Sequence, residues 1–341
     1  MHLASKRRFP PGVGFAFLLI LAAVAGVLFP EPFTQKNWGE SGQWATVATF
    51  VIFVFIGRSI SLNVLAKEMK RPIVTLTIQG SIFLITWVLA SLFYRYCLPF
   101  FSSSFFMGFL LVLVLPSTIS SCVVYTRVAD GSTEFALGHS FLSNFIAPFL
   151  FPLLCVGWLY GVGFTSVSFL SVVERIYPRL GLLILLPLIL GYFSKKIPQL
   201  GVQRDWEKKA PQACILFLSY IAFASGTSLG LLNQSISQWA ELVAWTIVCW
   251  LVLSFLGWIS GRVLVLKTPE RISAYFVVSQ KSLVTGIPLI FAVMGTQSVE
   301  GWIWIILPLT FYHLFQLLAG AGVIAYLNRE VPKDRVGLLR G

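Results

Sequence analysis

Long apolar runs separated by short polar links set the rhythm of this chain. The first extends from Pro11 to Pro30, and others follow at 43–65, 73–98, 104–127, 134–161, 170–194, 211–232, 241–265, 271–298 and 301–327. Each is near the roughly 20 residues that a tilted helix needs to cross a bilayer. The links hold no soluble domain, no low-complexity region and no long linker. The pattern predicts an all-α membrane protein of ten transmembrane helices, folded as a single polytopic membrane domain over residues 1–341.

Two of the runs are interrupted. The fourth is apolar from Gly108 to Leu115 and then reads Pro116-Ser117-Thr118-Ile119-Ser120-Ser121-Cys122. The ninth contains Ser279-Gln280-Lys281-Ser282-Leu283-Val284-Thr285-Gly286-Ile287-Pro288. Pro288 lacks an N–H and clashes with the preceding turn, so a break or kink is predicted near it. Inside a bilayer, broken backbone survives only where protein or a water-filled cavity satisfies it. An ionisable residue at that depth, here Lys281, points to function. Interrupted segments at corresponding positions mark a binding site between inverted repeats. Here the two lie five spans apart, so repeat one covers about 11–161 and repeat two about 170–327. An odd number of spans per repeat inverts the second copy. Each stretch alone has an ordinary reading, because membrane serines and threonines often bond the preceding carbonyl or help helices pack.

Charge fixes the orientation. The chain is 57% hydrophobic and 11% charged, against about 25% charged in soluble domains. A net charge of +12 raises the question of nucleic acid. The basic residues, however, fall in short links, as the positive-inside rule requires, so no nucleic-acid partner is expected. Alternate links carry Lys67, Lys70 and Arg71, then Arg127, then Lys195, Lys196, Arg204, Lys208 and Lys209, then Arg262, Lys267 and Arg271. The tail adds Arg329, Lys333, Arg335 and Arg340, and the opposite links hold far fewer. Both termini are therefore expected in the cytoplasm of a multi-pass cell (inner) membrane protein. The basic tail before the first span also reads as a secretory signal. No carboxylate falls in the middle of a span, so the chain lacks the acidic relays common in ion pumps. The five scattered cysteines read as packing residues.

Other polar residues within spans are Gln79, His139, Asn144, His313 and Gln316. His139, Ser140, Ser143 and Asn144 follow an i, i+1, i+4, i+5 spacing that sets them on one helix face, predicted to meet the broken fourth span. Arg58 lies inside the second span and can snorkel to its interface. The sequence has no paired Asp-rich motif, no H-E-x-x-H, no G-x-S-x-G and no phosphate-binding loop. An intramembrane Ser–His pair such as Ser140 with His313 has no supporting spacing, so no enzyme is expected.

The interrupted segments and two further stretches, Leu137 to Leu154 and Leu307 to Gln316, resemble the bile acid:sodium symporter family. The similarity covers most of the chain. It is strongest to the SBF-like branch, which includes the seventh human member of solute carrier family ten, through the Lys-Ser-Leu-x-x-Gly-Ile-Pro element at Lys281–Pro288. The resemblance implies core and panel domains, with discontinuous fourth and ninth helices that cross. Sodium-coupled members carry Pro-Gly-Gly-x-x-Ser-Asn where this chain has Pro116 to Cys122, so the serine is kept at Ser121 and the asparagine is Cys122. Cysteine is a poor ligand for a hard cation. The ninth-helix Glu and Gln of those members are missing, with Lys281 in the same element. These departures argue against the sodium sites, although Ser121 and Ser282 remain as oxygen donors.

The expected function is a secondary active transporter that moves a small anionic organic solute by alternating access. The binding residues expected at the crossover are Pro116, Ser117, Thr118, Ser120, Ser121, Gln280, Lys281, Ser282 and Thr285, flanked by Gln79, Ser140, Asn144 and His313. No cofactor is expected beyond a coupling ion, sodium or a proton. The partners are the solute, the lipid bilayer and a second copy of the chain as a homo-oligomer. The alternative is a non-transporting membrane regulator or sensor that keeps the fold and binds ligand without alternating access. Lys281 is expected to stand where a metal ion would, its ammonium satisfying the carbonyls and hydroxyls freed by the broken helices. Ligand binding would then be independent of sodium and sensitive to pH, unless the lysine is a static pin.

Overall fold

In the computed structural model, residues 13–31, 38–59, 61–97, 105–161, 174, 178, 181–195, 205–228, 230–294 and 302–330 are described. The basic tail at 1–10, most of 170–180, the link at 196–204 and the tail at 331–341 lie outside them. The described residues are nearly all helical, as apolar runs must be where no water can satisfy backbone groups. The helices are α1 Val13–Leu28, α2 Trp38–Ser59, α3 Leu62–Met69, α4 Pro72–Ile82, α5 Leu84–Cys97, α6 Phe106–Leu113, α7 Ile119–Val128 and α8 Thr133–Gly161. After them come α9 Leu186–Ser194, entered through a π-turn at Gly181–Leu185, then α10 Asp205–Ser228, α11 Ile236–Val263, α12 Thr268–Ser279, α13 Leu283–Met294 and α14 Trp302–Glu330.

Five stretches among the described residues are long and apolar enough to cross a membrane: Pro72–Tyr96, Thr133–Cys155, Lys209–Thr227, Ile236–Val263 and Ile303–Leu327. A sixth results if α2 and α3, bent by 62°, count as one span. The chain is thus a multi-pass helical membrane protein. The second run does not continue straight to residue 65; α3 turns away from α2 and packs on α8. Arg58, in the last turn of α2, donates to Ser194 Oγ at 2.8 Å.

The helices gather in two groups. α1, α2, α9 and α10 pack on one another, while α6, α7, α8, α11, α12 and α14 form the other cluster. Small residues set some of these approaches. Gly57 of α2 faces the Leu188 backbone of α9, and Gly191 of α9 faces the Val54 backbone of α2, so a Cβ at either position would strike the other helix. Such reciprocal small residues let membrane helices touch backbone to backbone. Gly108 does the same for α6, where a Cβ would meet the Trp304 and Ile305 carbonyls of α14.

The break in the ninth run does not fall at Pro288. Gln280–Ser282 is the interruption, and Pro288 sits inside the continuous helix α13. A proline costs a helix one backbone hydrogen bond and some crowding. Pro148, Pro152, Pro211 and Pro308 are likewise carried inside helices.

Candidate functional site

The two interruptions satisfy each other. α6 ends at Leu113, Pro116 contributes no donor, and Thr118 is extended (φ −79, ψ 134) before α7 begins. α12 ends at Ser279, and Gln280 is extended (φ −95, ψ 107). Ser117 and Lys281 pair as an antiparallel bridge. Thr118 N donates to the Gln280 carbonyl at 3.0 Å, and Ser282 N donates to the Pro116 carbonyl at 2.8 Å. Backbone that leaves a helix among apolar neighbours must find such partners, because an unpaired buried amide is costly.

Side chains from α8 and α14 complete the wrapping. From α8, Asn144 Nδ2 donates to the carbonyls of Ser117 (2.7 Å) and Ser140 (2.8 Å), and its Oδ1 accepts from Thr285 Oγ1 at 2.5 Å. Ser143 Oγ accepts from Ser117 N at 3.1 Å, and the Ser117 and Ser140 hydroxyls lie 3.2 Å apart. From α14, Gln316 clasps the backbone of Lys281. Its Oε1 accepts from Lys281 N at 2.7 Å, and its Nε2 donates to the Lys281 carbonyl at 2.8 Å. Gln280 Nε2 donates to the Gln316 carbonyl, and Gln280 Oε1 accepts from Ser121 Oγ at 3.1 Å.

Lys281 is completely buried. Its Nζ donates to the carbonyls of Ile82 (3.1 Å) and Leu115 (2.9 Å). Ile82 is the last residue of α4, and Leu115 lies two residues beyond the end of α6. The ammonium therefore meets a carbonyl just past the end of α6, at the negative end of that helix dipole, and a carbonyl at the kink between α4 and α5. A cation there gains about 0.3–1 kcal/mol from the α6 dipole, in addition to its hydrogen bonds. This arrangement accounts for a buried lysine that makes no ion pair with any described carboxylate. Half-helix carbonyl ends hold cations in other transporters of this general build.

At the start of α7, next to the bridge, is a cavity of about 120 Å³. Its polar lining is Thr118, Ser120, Ser121, Gln212 and His313, and its apolar lining is Phe15, Val124, Val284 and Leu317. The first turn of α7 borders it, so unpaired N–H groups and the positive dipole end lie at its edge. The Gln316 amide nitrogen lies 2.9 Å from His313 Nδ1. An amide nitrogen only donates, so Nδ1 accepts and Nε2 carries the ring proton. Phe15 packs edge-on against the His313 ring at 6.1 Å.

The structure thus brings Pro116, Ser117, Thr118, Ser121, Gln280, Lys281, Ser282, Thr285, Ser140 and Asn144 into one hydrogen-bonded assembly. Ser120 is exposed and faces the cavity. His313 joins through Gln316, and Gln79 lies a turn before Ile82, donating to the His139 carbonyl at 3.1 Å. Ser121 and Ser282 do not face a common point. The first bonds Gln280 and Thr118, and the second bonds Thr285. His139 departs from its expected place: it turns from the broken helix toward Glu68 and Phe135. Residues 139 and 140 are about 100° apart around a helix, so one face cannot serve both. Ser140 and His313 have separate partners and form no pair. Ser143 meets the broken fourth span as expected, whereas sequence reasoning missed the roles of Gln316, Phe15 and Gln212 and of the Ile82 carbonyl.

Comparison with known proteins finds relatives that cover nearly the whole chain. A protein of Pseudomonas aeruginosa is 26% identical over 323 residues, 93% of each chain. A provisionally named symporter of Escherichia coli, YfeH, is 28% identical over 326 residues, 94% of each chain. Sodium/bile acid cotransporter 7-B of Xenopus laevis is 24% identical over 241 residues, 68% of this chain and 66% of its own. Residues 14–329 match the SBF-like CPA transporter family. That match spans nearly the whole chain, and the protein therefore belongs to the SBF-like CPA transporter family.

Proposed function

We propose that this protein is a secondary active transporter for a small organic anion. The two interrupted segments carry the site, and Lys281 supplies the cation that a dissociable ion supplies elsewhere. The observation behind this reading is the Lys281 ammonium between the Ile82 and Leu115 carbonyls, together with a separate cavity at the start of α7 lined by hydroxyls and His313. The cavity has donors and no carboxylate, which suits an anion. Its volume suits the anionic end of a solute.

The wider reading is a ten-helix arrangement of two inverted repeats, about 11–161 and 170–327, with both termini cytoplasmic in the cell membrane. The five-run offset of the two interrupted segments and the alternation of basic links support it. The two helix groups, joined by α3, would be the panel and core that rock in alternating access. In this reading, binding needs no sodium. The fixed ammonium fills the place of the ion, and a proton remains as the coupling ion. A homo-oligomer is compatible with the apolar outer faces.

The test is a thermal-shift screen of purified protein against small organic anions, with sodium or potassium and at two pH values. A ligand stabilises the state it binds. The expected result is a saturable, anion-specific rise in melting temperature that is equal in the two salts. Hits are then followed as uptake into proteoliposomes. Saturable stabilisation by sodium alone would refute the ammonium's role, and binding without any uptake would favour a sensor.

A further inference from the structure

A second polar cluster lies apart from the crossover, where α3 closes on α8. Glu68 is buried, and its side chain packs where a Cβ on Gly138 would stand. Glu68 Oε2 stands 3.3 Å from His139 Nε2. His139 is completely buried, and neither of its ring nitrogens has a hydrogen-bond partner. Gln79 Oε1, on the helix that faces them, is also buried without a partner. Such orphaned atoms are uncommon in folded proteins and require an explanation.

The surrounding charges do not supply one. The charged side chains that act on Glu68 are Arg71, Lys67, Glu270 and Glu134. Arg71 is also the charge that reaches His139. These four are already matched, Lys67 with Glu134 of α8 and Arg71 with Glu270 of α12. The Glu68–His139 pair must therefore balance its own charge. Without a proton it is an anion, with two it is a cation, and with one it is neutral. Burial penalises net charge, so the one-proton state is selected. Two neutral partners also need less solvation than a carboxylate beside an imidazolium.

We propose that Glu68 and His139 form a proton-binding site. Glu68 Oε2 holds the proton, 3.3 Å from Nε2 of neutral His139, while α3 lies on α8. When α3 moves away and water reaches the carboxyl, the O–H bond breaks and the proton passes to water. The ion pairs on either side of Glu68 tie Lys67 of α3 to Glu134 of α8, and Arg71, at the start of α4, to Glu270 of α12, so movement of α3 must break the first of them. A proton bound in one conformation and released in the other is what a proton-coupled cycle needs. This last step rests on the transport reading, whereas the site itself does not.

Infrared difference spectroscopy of the full chain in lipid nanodiscs tests the site directly. Spectra in mildly acidic buffer minus alkaline buffer should contain a carboxylic C=O stretch. That band should move when the protein is made with isotope-labelled glutamate, and it should vanish in Glu68→Gln. In His139→Gln it should change frequency, because an amide oxygen replaces the ring nitrogen as acceptor. Glu134→Gln and Glu270→Gln should leave it in place. The isotope arm needs no substitution, so the test survives a Glu68 variant that fails to fold. A band absent from the wild type, insensitive to labelled glutamate, or unmoved in His139→Gln overturns the proposal. A band that behaves as expected in a protein showing no uptake keeps the proton site and rejects transport.

Discussion

Replacing Lys281 by Met removes the ammonium while keeping most of the side-chain length. Two acceptors lose a donor. The Leu115 carbonyl is left without its Nζ bond, whereas the Ile82 carbonyl keeps the Thr86 hydroxyl at 2.7 Å. An orphaned buried carbonyl costs about 1–3 kcal/mol, and a charge-assisted bond about 1.5–3 kcal/mol. With the second acceptor partly satisfied, the expected loss is about 2–4 kcal/mol. The opposing effect is relief from burying a cation that has no carboxylate partner, which costs several kcal/mol in the absence of compensation. The two carbonyl acceptors and the end of α6 provide that compensation, so a net loss is expected. It should lower the midpoint of tryptophan-detected unfolding by roughly 4–10 °C. Lys281→Ala, which leaves room, should regain part of the loss on adding sodium, since about 100 times Kd of a bound ion contributes about 2.7 kcal/mol. A Lys281→Met protein as stable as the wild type would sink the reasoning, because the ammonium would then hold nothing.

Gln316→Leu removes both hydrogen bonds to the Lys281 backbone and the one to His313. Two orphaned backbone groups predict a loss of about 2–6 kcal/mol, read as the shift in a denaturation midpoint, and an unchanged midpoint would show that the clasp is dispensable. Gly57→Val places side-chain atoms against the Leu188 backbone of α9, so it should sharply reduce the yield of folded protein on size-exclusion chromatography, while Gly14→Val, in open space, should not. A double-mutant cycle on Arg71 and Glu270, whose side chains are 43% and 23% exposed, should give a coupling below about 1 kcal/mol that shrinks in high salt.

Much of this fold is written in hydropathy, because a bilayer leaves the backbone few options. The fourth-run break was legible for the same reason: Pro116 and a run of hydroxyls cannot propagate an apolar helix. The ninth-run break was misplaced because Pro288 looked like the stronger breaker. Its cost is one hydrogen bond, whereas Gln280–Ser282 gains two backbone bonds by pairing with Pro116–Thr118. The partners of Lys281 were not legible. Backbone carbonyls carry no residue signature, and Ile82 is 199 positions away. Gln316 was visible as a polar residue in a span, but its clasp on Lys281 is a tertiary contact. His139 was assigned to the wrong neighbour because α3 read as a basic link. An eight-residue helix with Lys67 and Glu68 at its end has too little apolar pattern to announce its packing.

A tethered ammonium differs from a bound metal ion in one consequence that bears on the proposed cycle. Both neutralise the carbonyls that face a break in a helix, and both favour an anion nearby. Only the metal ion can leave. An ion released on the far side of the membrane carries free energy from its gradient into the cycle, whereas Lys281 returns unchanged. On this reading the lysine makes the crossover permanently competent to hold its shape, and the crossover gives up its role as the energy input. Any coupling must then come from a group that changes state between the two conformations. The proposed proton site is such a group, with Glu68 on α3 and His139 on α8. Uptake by this protein should therefore follow a proton gradient and ignore a sodium gradient. Glu68→Gln should abolish the response to the proton gradient while leaving anion binding at the crossover intact.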